Sequence, residues 1–220
     1  PESAGKPTLF HLLAQTRKAD KNSQSFNEAQ DPNRYIMWLH SFEDIKIISN
    51  WNPKKEKTLF SIVTATFNTK PTYLRDAYQS IVGQVYSKWE WCIADGGSND
   101  ACISELKRLA TSDSRVKVAF LQENRGIAGN TAAAISAASG DFIAFLDHDD
   151  LLSPQALYEY AQALERDSSI DVLYSDEDKV TEDGSIRKDA FFKPDWSPDL
   201  LRSINYMTHF LCTRKTLLER

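Results

Sequence analysis

The chain has 220 residues, of which 41% are hydrophobic and 26% charged, a balance typical of a globular protein with one main core. Its formal net charge of -5 leaves no surplus of basic side chains to displace counterions from a nucleic-acid backbone. The three cysteines lack the CxxC spacing of a zinc site, and no apolar stretch reaches the roughly 18 residues of a membrane span. We therefore expect a soluble protein that does not bind nucleic acid, and the cysteines fit a reducing cytosol.

The first part of the chain differs in character from the rest. Residues 1–57 are polar and lack strand signals. An aromatic and apolar cluster there predicts a short amphipathic helix, formed by Tyr35, Ile36, Trp38, Leu39 and Phe42. The basic run at residues 54–57 could contact anionic lipid, although a solvated linker is the commoner explanation for such a run. We expect residues 1–57 to form a largely helical appendage on a main domain at residues 58–220.

From Leu59 onward, apolar strands alternate with helical segments. The predicted strands cover residues 59–65, 90–94, 116–121, 142–146 and 172–174, and the predicted helices cover residues 71–85, 103–110, 127–139 and 153–166. Alternation of this kind implies right-handed crossovers and an α/β fold with a mostly parallel sheet covered on both faces. Past Asp176 the pattern breaks down, and we expect loops rich in charged and aromatic residues.

The most informative segment follows the fourth predicted strand, where Asp147, Asp149 and Asp150 place three carboxylates within four residues. On an extended backbone, Asp147 and Asp149 point to one side, and His148 and Asp150 to the other. A divalent cation would remove the repulsion between the carboxylates and could also hold a diphosphate. The alternative is a solvated acidic turn before a helix whose start is residues 153–154, a Ser-Pro pair.

Polar residues also follow the first two predicted strands. The first strand ends in Thr66, Phe67 and Asn68, and the second runs into a turn that begins at Asp95. The carboxyl ends of the strands are the usual ligand site of a doubly wound sheet. Asp95 could accept the imide N–H of a uracil or thymine base. It could equally form a tight turn that caps the next helix.

The third predicted helix opens with Arg125 and Gly126. A helix amino terminus beside an arginine suits a diphosphate. The common nucleotide and protease signatures are absent, because the sequence contains no GxxxxGK[ST], GxGxxG or HExxH motif. These absences argue against an ATPase, a dehydrogenase or a zinc protease.

Taken together, these segments resemble the family 2 glycosyltransferases, which have the GT-A fold for nucleotide-diphospho-sugars. The resemblance runs from about Phe60 to the end of the chain. Residues 61–68 are similar to the family's opening strand, residues 93–98 to its base-binding turn and residues 145–150 to its DxD-type metal motif.

Two later segments, residues 174–179 and 192–199, are similar to a branch common in bacterial surface-polysaccharide assembly. In that branch the base-binding turn usually carries two adjacent acids, whereas Gly96 stands in the second position here. The resemblance therefore leaves Asp95 as the residue that contacts the base.

The resemblance also implies a set of site residues and a reaction. The nucleotide-sugar site would comprise Thr66, Phe67, Asn68, Asp95, Arg125, Gly126, Asp147 and His148. Asp149 would bind Mg²⁺ or Mn²⁺, with Asp147 and His209 as further candidate ligands. The enzyme would move a sugar, with inversion, from a UDP- or dTDP-sugar to a saccharide or lipid-linked acceptor. It would work in cell-surface polysaccharide synthesis, in the cytoplasm or at the inner face of the membrane, with peripheral membrane association.

A general base should take the proton of the acceptor hydroxyl. The family places it in an acidic motif well downstream of the segment at residues 205–209, and the chain ends at Arg220. We therefore expect residues 58–220 to be a GT-A domain truncated in its acceptor part. Weaker candidates for the base lie beyond the last predicted strand, and an exposed acidic loop explains them equally well: Asp176, Glu177 and Asp178.

Two other functions remain open. A sugar-phosphate nucleotidyltransferase also sets carboxylates and a metal at the edge of a parallel sheet, but it usually has a first loop rich in glycine and lysine. Residues 66–70 contain one lysine and no glycine. The third possibility is a nucleotide-sugar-binding module without turnover.

Overall fold

A computed structural model describes residues 9–13, 35–37, 39–40, 56–182 and 184–219. The strands are β1 (Leu9–Leu13), β2 (Phe60–Thr66), β3 (Trp89–Asp95), β4 (Val116–Phe120), β5 (Phe142–Phe145), β6 (Leu151–Leu152), β7 (Val172–Tyr174), β8 (Asp176–Val180), β9 (Arg187–Phe191) and β10 (Leu211–Arg214). The helices are α1 (Pro71–Val82), α2 (Asp100–Ser112), α3 (Gly126–Ser136), α4 (Ala156–Arg166), α5 (Pro198–Leu201) and α6 (Lys215–Leu218).

The central sheet has six strands in the order β4-β3-β2-β5-β10-β7. The first four are mutually parallel, and β10 runs antiparallel to both β5 and β7. Thr66 lies opposite Asp95 in the register of β2 and β3, so these two strands end at the same level. The mostly parallel α/β sheet predicted from the sequence is confirmed, and the carboxyl ends of its strands form one rim.

The sheet is covered on both faces, so β2 and β3 are buried along nearly their whole length. One face packs against α1, α2 and α4 through a core that includes Leu74, Leu106 and Leu157. The other packs against α3 through a smaller core that includes Ala134 and Ile143. Burial of each large aliphatic side chain of this kind contributes about 1.5–3 kcal/mol.

A buried carboxylate joins the strands at the amino end of the sheet. Glu90, at 5% exposure, accepts hydrogen bonds from Ser61 Oγ (2.6 Å), Lys117 Nζ (2.7 Å) and the backbone N–H of Ser139 (2.6 Å). These partners come from β2, from β4 and from the loop before β5. Burial alone would raise the pKa of Glu90, but the hydrogen bonds from Lys117, Ser139 and Ser61 hold that pKa at about 2.

The start predicted for the fourth helix is wrong. Helix α4 begins at Ala156, with Gln155 as its N-cap, rather than at the Ser-Pro pair. Ser153 is fully buried, and its carbonyl oxygen accepts the N–H of Ala156 and the side-chain amide of Gln84. Because Ser153 is held in this buried turn before the helix, it does not cap it.

A second sheet has the strand order β6-β1-β8-β9. Strands β8 and β9, and also β10, lie past Asp176, where we expected loops, so that expectation is wrong. Strand β8 is hard to recognise from its sequence. Its buried, inward-facing residues are Asp176, Asp178 and Val180. Two buried carboxylates in three inward positions do not give the apolar alternation by which strands are recognised.

The expectation that residues 1–57 lack strands is also wrong, because β1 pairs parallel with β6 and antiparallel with β8. A five-residue apolar run is too short for its periodicity to identify it as a strand. Residues 35–37 and 39–40 are helical, and Tyr35 and Leu39 pack against Ala190 and Phe192. The rest of the predicted amphipathic helix and most of the basic run fall outside the described residues. The division at residue 57 stays a prediction.

Among the helices that the structure describes, none is both long and apolar enough to cross a membrane.

Candidate functional site

The acidic segment after β5 forms a turn. The N–H of Asp150 donates to the carbonyl of Asp147 at 3.2 Å. The extended backbone assumed from the sequence is therefore wrong, because a turn brings the first and fourth residues together. Asp150 is 1% exposed, whereas the side chain of Asp147 is 69% exposed. The residue thought to face away, Asp150, is the one that lies beside Asp147.

His209 completes a three-residue group with these carboxylates. Its Nδ1 lies 2.9 Å from Asp150 Oδ2 and 3.9 Å from Asp147 Oδ2. The hydrogen bond to Asp150 raises the pKa of His209 above its usual value. Burial raises the pKa of Asp150 to about 6. At neutral pH the buried carboxylate of Asp150 is therefore negatively charged, and it needs a positively charged partner.

The donor set of this group fits a divalent cation. One ligand atom from each of Asp147, Asp150 and His209 lies within 4.8 Å of the others, and the described residues contain no second group that meets this criterion. Two carboxylate oxygens and one imidazole nitrogen suit Mn²⁺ or Mg²⁺ and leave coordination positions for a substrate.

The two remaining residues of the motif lie beside this group. His148 Nδ1 is 3.5 Å from Asp149 Oδ1, and about one third of each side chain is exposed. In the described part of the chain, His148 Nδ1 has no hydrogen-bond partner. Asp149, the first choice for a metal ligand, is not a member of the three-residue group, and its metal role stays a prediction.

A cavity of about 260 Å³ adjoins the group. Its lining combines Asp147 and His209 with Thr208 and with two apolar side chains, Phe145 and Leu211. The cavity lies where β5 and β10 pair, because Phe145 and Leu211 are direct partners in the register. Space for a ligand is therefore available beside the candidate metal ligands.

The carboxylate of Asp95 is engaged by its own loop. Oδ2 accepts the N–H groups of Gly97 (3.2 Å) and Ser98 (2.9 Å), while Oδ1 accepts the hydroxyls of Thr66 (3.1 Å) and Ser98. A carboxylate offers about four acceptor sites. Asp95 is 1% exposed, so the structure favours the tight-turn interpretation, but the N-cap of α2 is Asn99 and not Asp95. Contact of Asp95 with a base remains a prediction.

The loops after β2 and β3 are tied together. The N–H of Asn68 donates to Ser98 Oγ (2.7 Å), and the N–H of Asn99 donates to Asn68 Oδ1 (2.8 Å). Asn68 has a φ of 54°, a left-handed conformation that asparagine tolerates better than most residues. Phe67 is 47% exposed beside this linkage. The structure thus brings Thr66, Asn68 and Asp95 into one rigid rim and leaves the Phe67 ring open to solvent.

Two asparagines organise the start of α3. The N–H of Arg125 donates to Asn130 Oδ1 (3.1 Å), and the N–H of Gly126 donates to Asn124 Oδ1 (2.9 Å). The side-chain amide of Asn130 also donates to Asn124 Oδ1 at 3.0 Å. Gly126 has a φ of 72°, which favours glycine. Both predicted diphosphate residues are exposed at this helix start, although the Gly126 N–H already has a partner.

The same asparagines lie against Gly96, in the turn after β3. A Cβ atom at Gly96 would lie 2.6 Å from Asn130 Nδ2 and 3.1 Å from Asn124 Oδ1. A side chain at Gly96 would therefore force the Asn130 amide away from its present hydrogen bonds. The roles of Asn124 and Asn130 were not predicted from the sequence. Their positions on either side of the start of α3 could have indicated that they bind its backbone N–H groups.

The three acids of β8 belong to a strand and not to an exposed loop. Asp176 accepts the backbone N–H of Lys193 (2.6 Å). Asp178 is fully buried and accepts from Arg187 Nε (2.7 Å) and from the Tyr35 hydroxyl. Glu177 forms an ion pair with Lys193 Nζ at 2.9 Å, and its charge also raises the pKa of His209. Each of the three carboxylates therefore already has a partner.

Comparison with known proteins identifies the family. The family model described as Glycosyl transferase family 2 matches residues 61–220. This match covers well over half of the chain. The chain belongs to glycosyl transferase family 2, and its fold is the GT-A fold.

Named relatives are found in polysaccharide assembly. The chain is 39% identical over 165 residues to the O-antigen biosynthesis protein RfbC of Myxococcus xanthus, a match that covers 74% of this chain and 13% of that protein. It is 34% identical over 103 residues to the putative teichuronic acid biosynthesis glycosyltransferase TuaG of Bacillus subtilis, covering 47% of this chain and 38% of that protein. The chain thus spans a small part of its longer relatives.

Solved structures share the fold. S. aureus TarS 1-349 in complex with UDP-GlcNAc matches with a TM-score of 0.57 and 21% identity, over 73% of this chain and 46% of that chain. The mannosyltransferase PcManGT of Pyrobaculum calidifontis, in complex with GDP-Man and Mn2+, matches with a TM-score of 0.56 and 18% identity, over 88% and 55% respectively.

Proposed function

We propose that this chain is the donor-binding part of a metal-dependent, inverting glycosyltransferase. It takes a sugar from a UDP- or dTDP-sugar and serves a saccharide or lipid-linked acceptor in cell-surface polysaccharide synthesis. The observation that supports this most directly is the group of Asp147, Asp150 and His209 beside a cavity at the rim of the parallel sheet. A rim of this kind is the usual ligand site of an open α/β sheet.

We assign different tasks to the residues of the acidic motif. Asp150 engages His209 Nδ1 through Oδ2 and so leaves Nε2 for the cation, an arrangement common at metal sites, while Asp150 remains a candidate ligand of the same group. Asp147 and Asp149 are the more exposed carboxylates and supply oxygen ligands. The bound Mn²⁺ or Mg²⁺ would neutralise the charge of the departing diphosphate.

The nucleotide occupies the rim next to the cation in this proposal. Phe67 offers an exposed aromatic face for the base, and the loop of Thr66, Asn68 and Asp95 holds that face rigidly. Arg125 is exposed at the start of α3 and provides a positive charge for the diphosphate. A rigid rim reduces the ordering cost of binding.

We place the general base outside the described residues. Asp178 is buried against Arg187, Asp176 accepts the Lys193 N–H, and Glu177 is paired with the Lys193 ammonium. A base must be able to reach the acceptor hydroxyl, and these three acids are committed elsewhere. We further propose that the reaction takes place in the cytoplasm, with peripheral membrane contact where the acceptor is lipid-linked.

Calorimetric titration tests the donor and metal assignments together. UDP, dTDP, GDP and CDP are titrated into the chain with Mn²⁺, with Mg²⁺ and with EDTA. We expect UDP or dTDP to bind when a divalent cation is present and to bind much more weakly in EDTA. Equal affinity in EDTA and in Mn²⁺ would contradict the metal-dependent donor site.

A further inference from the structure

Lys193 is a buried lysine beside the candidate metal group. Its side chain is 1% exposed. The ammonium donates to the backbone carbonyl oxygens of Thr208 and His209 and pairs with Glu177 Oε2 at 2.9 Å. The ammonium thus has two hydrogen bonds, both to backbone carbonyl groups, and one ion pair, to Glu177.

The two carbonyl groups belong to the segment that presents His209. His209 has a φ of 55°, in the left-handed region that residues other than glycine rarely adopt. Conformations of this kind are unfavourable for such residues and persist only where the surrounding structure holds them. Lys193 supplies such a hold, because one charged donor binds two successive carbonyl groups.

Lys193 is itself fixed from a different part of the fold. Its backbone N–H donates to Asp176 Oδ1 at 2.6 Å, and its ion-pair partner Glu177 is the next residue of the same strand, β8. Strand β8 lies in the second sheet, whereas His209 directly precedes Phe210 and β10 of the central sheet. The lysine therefore connects the second sheet to the segment that carries the imidazole.

We propose that Lys193 is a positioning residue that sets the imidazole of His209 for cation binding. The inference rests on the proposed function, because it assumes that His209 is a metal ligand. Lys193 does not touch the cation. It acts through the backbone of residues 208 and 209, which fixes where the His209 ring begins and allows Asp150 to complete its orientation.

The test compares Mn²⁺ affinity in the purified chain without any nucleotide. Lys193→Met removes the ammonium and keeps the length of the side chain. We expect Mn²⁺ affinity to fall about 10–100-fold, the usual cost of removing a group that orients a metal ligand. Lys188→Met is the matched control, because Lys188 is an exposed lysine of the neighbouring strand β9. That variant should bind Mn²⁺ as the unsubstituted chain does.

Two further variants separate positioning from a general loss of stability. Ile81→Val removes one methyl group from the core, and it should leave Mn²⁺ affinity unchanged. In a His209→Ala background, adding Lys193→Met should lower Mn²⁺ affinity by less than about twofold, because the lysine then has no ligand to position. An equal loss of affinity with and without His209 would overturn the proposal. If Lys193→Met does not fold, Lys193→Gln, which keeps one amide donor, takes its place.

A readout without metal keeps this inference distinct from the proposed function. In the metal-free chain, Lys193→Met should speed amide hydrogen exchange at residues 207–211 and leave exchange in α2 unchanged. Unchanged exchange at residues 207–211 would overturn the positioning role. If the unsubstituted chain does not bind Mn²⁺, the proposed metal site fails, and the exchange measurement alone decides whether Lys193 holds the His209 segment.

Discussion

Asp149 and Asp150 are adjacent carboxylates with opposite environments. The side chain of Asp150 is 2% exposed and contacts His209, whereas the side chain of Asp149 is 32% exposed and lies near His148. A substitution of Asp150 would remove a hydrogen-bond acceptor from the partly buried imidazole of His209, so that structural and functional effects could not be separated. Asp149 is therefore the better residue with which to test the metal site.

Asp149→Ala should abolish the cation dependence of UDP binding while the free energy of unfolding changes by less than about 0.5 kcal/mol, because partly exposed loop carboxylates support little of the core. Calorimetry with and without Mn²⁺ measures the first effect, and urea denaturation the second. Asp199→Ala serves as the control, because its side chain is 95% exposed. A normal Mn²⁺ response of Asp149→Ala would move the cation to other ligands.

Glu90 gives a prediction on pH and stability. Its pKa in the folded chain is about 2, below the ordinary value of 4.5. A carboxyl group with a lowered pKa in the folded state contributes stability above pH 4.5, and that contribution is lost as the pH falls toward 2. The shift corresponds to about 2–3 kcal/mol once the partial exposure of Lys117 is considered.

Glu90→Gln should therefore lower stability at pH 7 by an amount of this order and flatten the fall in stability between pH 4.5 and pH 2. Thermal unfolding across this pH range provides the measurement. Glu123→Gln is the matched control, since Glu123 is exposed. A Glu90→Gln profile that parallels the unsubstituted chain would show that Glu90 does not contribute to acid unfolding.

At the scale of elements, strand β8 is the main part of the fold that was not predicted from the sequence. Strands β2, β3, β4, β5 and β7 were predicted to within about one residue at their ends, because apolar runs and turn residues mark them. Strands β1, β6, β8, β9 and β10 were missed. In β8 the inward side chains are mainly carboxylates, and only tertiary partners such as Arg187 and Lys193 make their burial possible.

The candidate site, like the fold, was predicted from the sequence only in part. The sequence located the acidic turn and the strand ends, because motif order and alternation place them at one rim. It could not show that a turn after β5 places Asp150 beside Asp147, because that depends on local backbone geometry. Nor could it find Lys193, whose role depends on carbonyl groups 15 and 16 residues away along the chain.

The ion pair between β8 and β9 supports a third prediction. Arg187→Ala should lower the free energy of unfolding by about 3–5 kcal/mol, because it leaves the fully buried Asp178 carboxylate without its charged partner. Urea denaturation measures the change. Lys188→Ala, at the next and exposed position of β9, should change stability by less than about 0.5 kcal/mol. A small effect of Arg187→Ala would mean that the other contacts of Asp178 suffice.

At the scale of the whole molecule, we expect donor binding to be retained while sugar transfer is slow. The residues proposed for the donor lie in the described chain, whereas Asp176, Glu177 and Asp178 are all engaged by other groups. We expect this chain to bind UDP with Mn²⁺ but to transfer sugar slowly, because the loss of a general base typically costs about 10²–10⁴-fold in rate.

Product analysis with UDP-sugars and saccharide acceptors measures the rate of sugar transfer. A Glu177→Gln variant of the same chain is the informative companion, because Glu177 is the one acid of the three whose charge reaches His209. Rapid transfer that persists in Glu177→Gln would contradict the proposal and require a base elsewhere among the described residues.

The contact between Gly96 and Asn130 makes the effects of mutations at these two positions depend on each other. An aspartate at position 96 would place its Cβ 2.6 Å from Asn130 Nδ2. Asn130 in turn holds the Arg125 N–H and Asn124, so it cannot shift without loosening the start of α3. We therefore expect Gly96→Asp to destabilise the chain less in an Asn130→Gly background than on its own, and the difference is the coupling energy between the two positions.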